Sequence, residues 1–399
     1  MNWGFLTVVA MIVTTPLVAW QSVAHTTPFD AVSALVVPLY WGRFLLRRER
    51  VPFPLGFWFW LILLGSLGGL WAASMRTRAL LTLSQDVYLY LWFVTMVHLV
   101  VRHCRVTSVI ITWVVVACAI TLLSYIDRTT GIFGGHFAGT VRATGTFLNP
   151  NMFGNYLLLS FFLAWSVAVR GRPLLFLALP ILFLGLLDTA SNGALAGFLG
   201  GCAAALVTRP TSRPFGWIGA GLMMAAVGVL ALGVLQNDRA REQVMGLFHG
   251  GRSQIGGAAA GSAEERLPIW MDAALSIQKH PMGVGPDNFN KLGGPVSCTY
   301  YGPHNDYVGM MVERGPLGLI GWFGILGGTV ALLPVLKSRS DLHVEAFYAL
   351  IASQAVHSLV IEAFHFRHVW FALALAIAAS LQTKAQAEQT ATFSFREAA

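Results

Sequence analysis

Charged residues are scarce in this sequence. Asp, Glu, Lys and Arg supply only 11% of the 399 residues, whereas hydrophobic residues supply 56%. A soluble domain carries about 25% charged residues, so the deficit excludes a soluble globular protein. Apolar runs of roughly 20 residues, the length that crosses a bilayer as a helix, recur along the chain. The composition predicts an all-α polytopic membrane protein, a single transmembrane domain over 1–399 with an external insertion at 236–314.

Several common signatures of a catalytic or metal site are also missing. The cysteines form no C-x-x-C pair, which argues against a zinc site. Only Cys298 falls in an external segment, so no disulfide bond is expected outside the membrane. No D-x-D pair is present to hold a metal for sugar-nucleotide chemistry, and no Ser/His/Asp signature occurs. Residues 283–289 lack the Lys-Ser/Thr of a phosphate-binding loop and are interpreted as a turn.

The apolar runs predict about twelve membrane spans. Their bounds are 2–21, 27–46, 55–73, 79–101, 107–126, 151–169, 174–187, 192–207, 215–235, 315–336, 342–363 and 369–382. The connecting segments alternate in basic charge, and the Lys/Arg-rich ones fall on one side. By the positive-inside rule that side is the cytoplasm, so both termini are predicted there. No Lys or Arg precedes the first run, which we interpret as an uncleaved span.

The basic residues outside the cytoplasmic segments are mostly Arg. The net charge of +8 is explained by the loops and requires no nucleic acid. Arg forms paired hydrogen bonds to phosphate, which Lys does not. Asn149, before Pro150, is placed to cap a helix, but capping does not explain the nearby Arg142. The external Arg residues therefore favour a binding site for an anionic group at the outer leaflet.

The second half of the insertion is predicted to begin with a helix from Arg266 to His280. Its predicted apolar face holds Trp270, Ala273, Ala274 and Ile277. This pattern indicates an amphipathic helix that is able to lie at a membrane surface. The preceding stretch, 250–263, is rich in Gly, Ala and Ser and is expected to be mobile.

The insertion ends at Pro303-His304-Asn305, where the chain is predicted to re-enter the membrane. His304 lies at the start of a predicted helix, which Asn305 or Asp306 can cap. A His at a helix N-terminus tends to be neutral and is then able to accept a proton. Glu313 is half a turn out of phase with His304, so we expect it to have a supporting role.

One His, several Arg and a membrane suit glycosyl transfer from a lipid-pyrophosphate donor. Arg would neutralise the leaving pyrophosphate. A neutral His would take the proton from the attacking hydroxyl. This chemistry requires no metal and no other cofactor.

Three patches and the span plan occur in an order that is typical of one family. The patches are R-A-T-G-T-F-x-N-P-N at 142–151, the stretch 266–289 with its H-P and G-V-G-P-D-N-F, and 303–318 around P-H-N and E-R-G-P-L-G. Together they resemble the bacterial O-antigen ligases and the related O-antigen polymerases. The resemblance implies a GT-C-like glycosyltransferase architecture in the bacterial inner membrane, with a periplasmic active site.

The resemblance also implies substrates and site residues. The donor would be an undecaprenyl-pyrophosphate-linked glycan, the acceptor a sugar hydroxyl of lipid A-core, and the surroundings membrane lipid. The essential His of the family corresponds to His304, a pyrophosphate-binding Arg to Arg266, and a weaker third position to Arg142. Further predicted substrate contacts are Asn305 and Arg367, and the predicted supporting residues are Glu313, Asn149, Asn151 and Trp270.

This chain departs from the family at the short outer turn 188–193. The family often has an Arg after the Ser of this turn, whereas this chain has Asn192. One expected phosphate contact is therefore missing. Arg142, Arg367 or Arg314 would have to replace it, or the substrate differs.

Several activities stay open at this point. A ligase, a polymerase that extends the glycan on its carrier, and a protein O-oligosaccharyltransferase share the same chemistry, and the chain length fits the ligase slightly better. A secondary transporter is the alternative from another class, because Asp86 and Glu345 are acids embedded in predicted spans. Transporter sites lie near the bilayer midplane, whereas the polar candidates here gather at the outer boundary.

Overall fold

The computed structural model of this chain is entirely helical in its regular structure. It describes residues 3–18, 20, 27–47, 52–135, 137, 142–147, 149–168, 173–208, 263–291, 294–297, 302–338 and 341–397. The predicted span 215–235 and most of the predicted mobile stretch 250–263 lie outside these residues. Within them no strand occurs, which agrees with the predicted all-α fold.

The described residues contain twelve α-helices. These are α1 Trp3–Thr14, α2 Pro28–Arg47, α3 Gly56–Leu70, α4 Arg76–His103, α5 Val106–Thr130, α6 Pro150–Ala168, α7 Ala178–Asp188, α8 Asn192–Val207, α9 Ala263–Lys279, α10 Asp306–Leu332, α11 Val344–His357 and α12 Arg367–Glu397. Short 3-10 turns occur at Pro173–Leu177, Phe289–Lys291 and Leu333–Ser338. Most predicted spans therefore coincide with a helix, although α1 and α11 are shorter than predicted and α12 is longer.

Five of the described helices are long and apolar enough to cross a membrane. They are Pro28–Arg47, Arg76–His103, Val106–Thr130, Pro150–Ala168 and Asp306–Ser338. Shorter apolar helices include α1, α3 and α8. The prediction of a helical multi-pass membrane protein is thereby confirmed. The number of spans and their orientation stay predictions.

The chain divides into two compact units. The first comprises residues 1–60, 84–205 and 323–399, and the second comprises 61–83 and 206–322. The predicted insertion, 236–314, falls within the second unit. In the first unit, α6 packs against α5, α7 and α11.

A buried polar network connects three helices of the first unit. Asn155 of α6 donates through Nδ2 to Gln354 Oε1 at 3.0 Å and contacts His357 Nδ1 at 3.1 Å. His368 Nε2 lies 2.8 Å from Asn155 Oδ1. All four side chains are buried. Because a polar group left unsatisfied in hydrocarbon is costly, this network favours one register of α6, α11 and α12.

The second unit has a small core between α9 and the first half of α10. Its buried members are Ile269, Ala273, Val284, Phe289 and Val312. The inward face of α9 therefore contains Ile269 and Ala273, while the predicted member Ala274 is exposed. The helix begins at Ala263, three residues before the predicted start.

The helix α10 is broken where its predicted span begins. Gly315 has φ 64° and ψ −167°, outside the helical region, and Pro316 follows it. Since Pro has no N–H, the Val312 carbonyl loses its usual donor four residues later. The turn after α9 supplies replacements: Val284 N–H donates to Val312 O and Gly285 N–H donates to Glu313 O, both at 2.9 Å. The G-V-G stretch thus satisfies the carbonyls of a helix break, which gives the turn predicted at 283–289 a structural role.

We expect Gly283→Ala to destabilise the protein. Gly283 has φ 97°, and a Cβ there would lie 2.4 Å from the Glu313 carbonyl oxygen. Strain and steric overlap should lower the free energy of unfolding by on the order of 2 kcal/mol. Thermal unfolding of the purified protein in detergent measures this change.

Gly327→Ala is the matched control for that experiment. Gly327 lies within α10, and a Cβ there meets nothing within 4 Å. Because Ala has the higher helix propensity, this variant should unfold at the same temperature or higher. An equal loss of stability in both variants would contradict the role assigned to Gly283.

Candidate active site

His304 lies directly before a capped helix. Asn305 Oδ1 accepts hydrogen bonds from the backbone N–H of Tyr307 at 2.9 Å and of Val308 at 3.1 Å. The cap is therefore Asn305, one of the two predicted residues, and α10 begins at Asp306. The cap fixes the direction in which the chain enters the helix, and with it the position of His304.

The backbone of His304 adopts an uncommon conformation. Its φ is 49°, in the left-handed region that non-glycine residues rarely occupy. Both neighbours hold it there: Trp270 Nε1 donates to the Pro303 carbonyl at 2.8 Å, and Asn305 forms the cap. Such strain costs on the order of 1–3 kcal/mol and concentrates at functional sites. The predicted supporting residue Trp270 thus acts on the His304 segment through this hydrogen bond.

Arg266 lies close enough to His304 to influence its protonation. Burial lowers the pKa of the half-buried His304 imidazole below its ordinary value, and the positive charge of Arg266 lowers it further. Both effects disfavour the charged imidazolium. The fold thereby brings together the predicted base and the predicted phosphate-binding cation, which are far apart in sequence. A neutral imidazole beside a guanidinium is able to accept a proton next to a bound anion.

Asp272 holds a neighbouring loop in place and was assigned no role from the sequence. It is buried, and its carboxylate accepts from the backbone N–H of Val296 at 3.0 Å and of Ser297 at 2.8 Å. Burial by itself would raise its pKa, but the hydrogen bonds from Ser297 and Val296 lower the pKa below its ordinary value. The sequence signal was a single acid within the otherwise apolar run 267–275.

Glu313 has a structural environment, as predicted. Its carboxylate lies 3.2 Å from Nη1 of the buried Arg314. Its carbonyl accepts from Gly285 at the break in α10. Both contacts stabilise the region in which α10 changes direction. A charge-neutralising partner within α10 also makes Arg314 a weak candidate for a phosphate contact.

Arg142 belongs to the first unit and contacts the outer turn. Its Nε donates to Thr189 O at 2.9 Å, and its Nη2 donates to Asn151 Oδ1 at 2.8 Å. Asn149 Oδ1 accepts from the backbone N–H of Asn151 at 2.8 Å, which caps α6 as predicted. Within the described part of the chain, the acceptors of Arg142 are neutral oxygens. Its positive charge is therefore available to an anion.

Arg367 differs from Arg142 because a carboxylate neutralises its charge. Its Nη2 lies 2.6 and 2.8 Å from the two carboxylate oxygens of Asp30. The guanidinium also lies over the ring of Phe29, 5.1 Å from the centroid. A phosphate contact of Arg367 stays a prediction, and it would require exchange of this partner. Arg128 likewise forms an ion pair with Asp188.

The two embedded acids of the first unit have imidazole partners. Asp86 is fully buried, and its carboxylate lies 2.7 Å from His365 Nε2. Glu345 lies 3.5 Å from His343 Nδ1. Pairing of this kind is how buried acids are accommodated in a membrane. Among the described residues, no three His, Cys, Asp or Glu side chains converge on a possible metal position.

A comparison with protein families matches the region that contains His304. Residues 176–323 match the model of the Wzy_C family, which is described as O-antigen ligase. This stretch of the chain is similar to the O-antigen ligases. The resemblance inferred from the sequence patches is confirmed at this level. Members of the family are glycosyltransferase-like enzymes of O-antigen processing. None of the curated proteins compared with the chain matches it.

The O-antigen ligase family match covers α7 to α9 and α10 as far as Phe323. It therefore includes Arg266, Asp272 and His304. The patch 142–151 and Arg367 lie outside the matched residues. The match therefore overlaps the second-unit candidates, whose roles stay predictions, while Arg142 lies outside it.

Proposed function

We propose that this protein is an O-antigen ligase that transfers a glycan from undecaprenyl pyrophosphate to a sugar hydroxyl of lipid A-core. His304 is the general base, and Arg266 stabilises the departing pyrophosphate. The observation that carries this proposal is the position of His304 directly before the capped start of α10, within electrostatic range of Arg266. The match of residues 176–323 to the O-antigen ligase family supports the same reaction class.

The proposed reaction is a direct displacement at the anomeric carbon. The acceptor hydroxyl oxygen forms a bond to this carbon as the bond from carbon to the pyrophosphate oxygen breaks. The hydroxyl proton moves to His304, and undecaprenyl pyrophosphate leaves with the bonding electrons. General-base catalysis contributes about 10²–10⁴-fold to such a step. Negative charge grows on the leaving oxygen, where a preorganised guanidinium is most effective.

Arg142 is proposed as an additional contact to the pyrophosphate. It donates to the outer turn at Thr189, three residues before Asn192, where the family often has an Arg. Its guanidinium therefore lies close to the position of the missing residue in the chain fold. The acceptors described for Arg142 are uncharged, which favours recruitment of an anion. Asn305 and Arg367 are weaker proposed contacts, since one caps α10 and the other pairs with Asp30.

The proposed location follows from the same chemistry. Donor and acceptor are both lipid-anchored, so transfer takes place at the membrane surface. We place the protein in the bacterial inner membrane with both termini cytoplasmic and the segment 236–314 in the periplasm. The basic cytoplasmic segments of the sequence support this orientation.

Deletion of the gene should leave lipopolysaccharide without attached O-antigen. A gel of lipopolysaccharide from the deletion strain should show core bands alone, because the ligase reaction is the step that joins glycan to core. Core plus one repeat unit would instead indicate a polymerase. An unchanged ladder would contradict both and favour protein glycosylation or transport.

Complementation provides the control for this gel. The wild-type gene should restore the full ladder, while a His304→Ala gene expressed at the same level in the membrane should not. If the His304→Ala gene also restores the ladder, the deletion phenotype does not arise from the proposed chemistry.

A further inference from the structure

The helix α9 has two apolar faces, and among the residues that the structure describes only one of them is seen to pack in a core. Ile269, Ala273 and the partly buried Ile277 contact the core formed with Val284 and Val312. These residues recur at four-residue spacing and occupy one side of the helix. The packing of this side against α10 and the G-V-G turn explains why its residues are apolar. The remaining apolar residues of α9 must be explained separately.

The second face is an exposed apolar stripe. Leu267 is 58% exposed, Met271 51% and Leu275 38%. They also recur every four residues, so they form one continuous line along the helix. Beyond the helix end, Met282 is 52% exposed. A line of large apolar side chains is unfavourable in water and marks an interaction surface.

The exposed stripe leads to a helix that the sequence assigns to the membrane. Met282 packs against α3, because a Cβ at Gly68 would lie 3.4 Å from Met282 Cε. The apolar helix α3 exposes Leu64 and Leu67 on its surface, and Trp71, just after its end, is 89% exposed. Trp is enriched where a membrane meets water. Trp71 therefore marks the membrane–water interface at the end of α3. Met282, which follows α9 and packs against α3, places the end of α9 near this interface.

The acid between Leu267 and Leu275 does not face solvent. The carboxylate of Asp272 is buried and satisfied by the backbone of Val296 and Ser297. Lys279, four residues after Leu275, continues the line of the stripe and is exposed, so its ammonium is able to reach lipid phosphates. An uncharged line of Leu and Met beside a basic residue is the pattern of a helix that lies in a membrane interface.

We propose that the stripe formed by Leu267, Met271 and Leu275, with Met282, rests on lipid of the outer leaflet. The helix α9 then lies in the plane of the interface, with Ile269 and Ala273 facing α10. This arrangement holds Arg266, at the start of the same helix, at the height of lipid headgroups. The occupant of the stripe is the bilayer itself, and the inference does not depend on which acceptor the enzyme uses.

Spin-label accessibility tests this orientation without an activity assay. Nitroxides are attached at Met271→Cys, and at His280→Cys as the matched control, in the full chain with its native cysteines replaced by Ser. His280 is exposed directly after the helix, and helical spacing places it on the side opposite Met271. The protein is placed in phosphatidylethanolamine/phosphatidylglycerol nanodiscs that contain no polyprenyl lipid. Collision rates are measured with oxygen, which concentrates in lipid, and with a water-soluble nickel chelate.

The label at position 271 should collide more with oxygen than with the nickel chelate, and the label at 280 should show the reverse. Equal nickel access at both positions would overturn the proposal, since the stripe would then face water. Protection of position 271 from both reagents would also overturn it and would indicate a protein partner or a second copy. Oxygen preference that arises only after addition of undecaprenyl pyrophosphate would assign the stripe to the donor tail instead. A second label, at Leu275→Cys, repeats the measurement if the 271 variant does not elute as a single folded species.

Discussion

His304→Ala should reduce glycan transfer by about 10²–10⁴-fold, because the variant has no group to accept the proton of the acceptor hydroxyl. Burial and the positive charge of Arg266 both lower the pKa of the imidazole, which favours the neutral form that is able to act as a base. The measurement is the rate of transfer by purified protein from a lipid-pyrophosphate donor to lipid A-core, with saturating donor. Transfer within about tenfold of wild type, against the loss expected of a general base, would reject His304 in this role.

Two further variants separate chemistry from structure. His304→Asn removes the base but suits the left-handed backbone at φ 49°, since Asn is among the residues that tolerate this region. Its thermal stability should equal that of the wild type while its activity is lost. His280→Ala removes an exposed His from the end of α9 and should leave transfer unchanged. A comparable loss in His280→Ala would indicate a general defect of the second unit.

Arg266→Ala should reduce transfer by about 10²–10³-fold, the cost of removing one preorganised donor from a developing anion. Arg266→Lys should be nearly as damaging. An ammonium preserves the charge but not the two parallel hydrogen bonds of a guanidinium to phosphate. Arg76→Ala, which removes an exposed Arg of the second unit, is the control for loss of positive charge. A fully active Arg266→Lys variant would show that charge alone is sufficient.

The same variants should differ in their pH dependence. The base must be unprotonated, so kcat/KM falls as the pH drops through the pKa of His304. Burial and the Arg266 charge place that pKa below its ordinary value of 6.5. The fall of kcat/KM on the acid side of the pH profile, its acid limb, should therefore also occur below pH 6.5. Arg266→Ala removes the repulsion and should move the limb to higher pH, whereas Arg266→Lys should leave it depressed. A limb that stays in place in Arg266→Ala would contradict the coupling of the two groups.

Local features of the sequence were sufficient to predict the helical framework. The bounds of α2, α5 and α6 fall within a few residues of the predicted spans, because the length of an apolar run is a property of consecutive residues. Capping is equally local: Asn149 and Asn305 bond to backbone N–H groups two residues later in the chain. The candidate base and its position at a helix start follow from such short-range signals.

The partners of charged groups required the tertiary structure. Arg142 and Arg367 are both external Arg residues in the sequence, yet one contacts uncharged oxygens while the other pairs with Asp30, 337 residues away. No local sequence pattern predicts that Arg266 lies close enough to His304 to influence its pKa. Burial and ion pairing depend on which distant segments meet, and this is decided by the packing of the whole unit.

The apolar faces of α9 show the same division. The sequence by itself predicted a helix from Arg266 to His280 with apolar and polar positions, since helical periodicity is read from neighbours. The structure has this helix at Ala263–Lys279. The sequence did not determine which of two apolar stripes is buried. The contact of Ile269 and Ala273 with Val312 decides this, and it exists because the break at Gly315 leaves carbonyls that the turn after α9 must satisfy. Only the folded chain brings those carbonyls and their donors together.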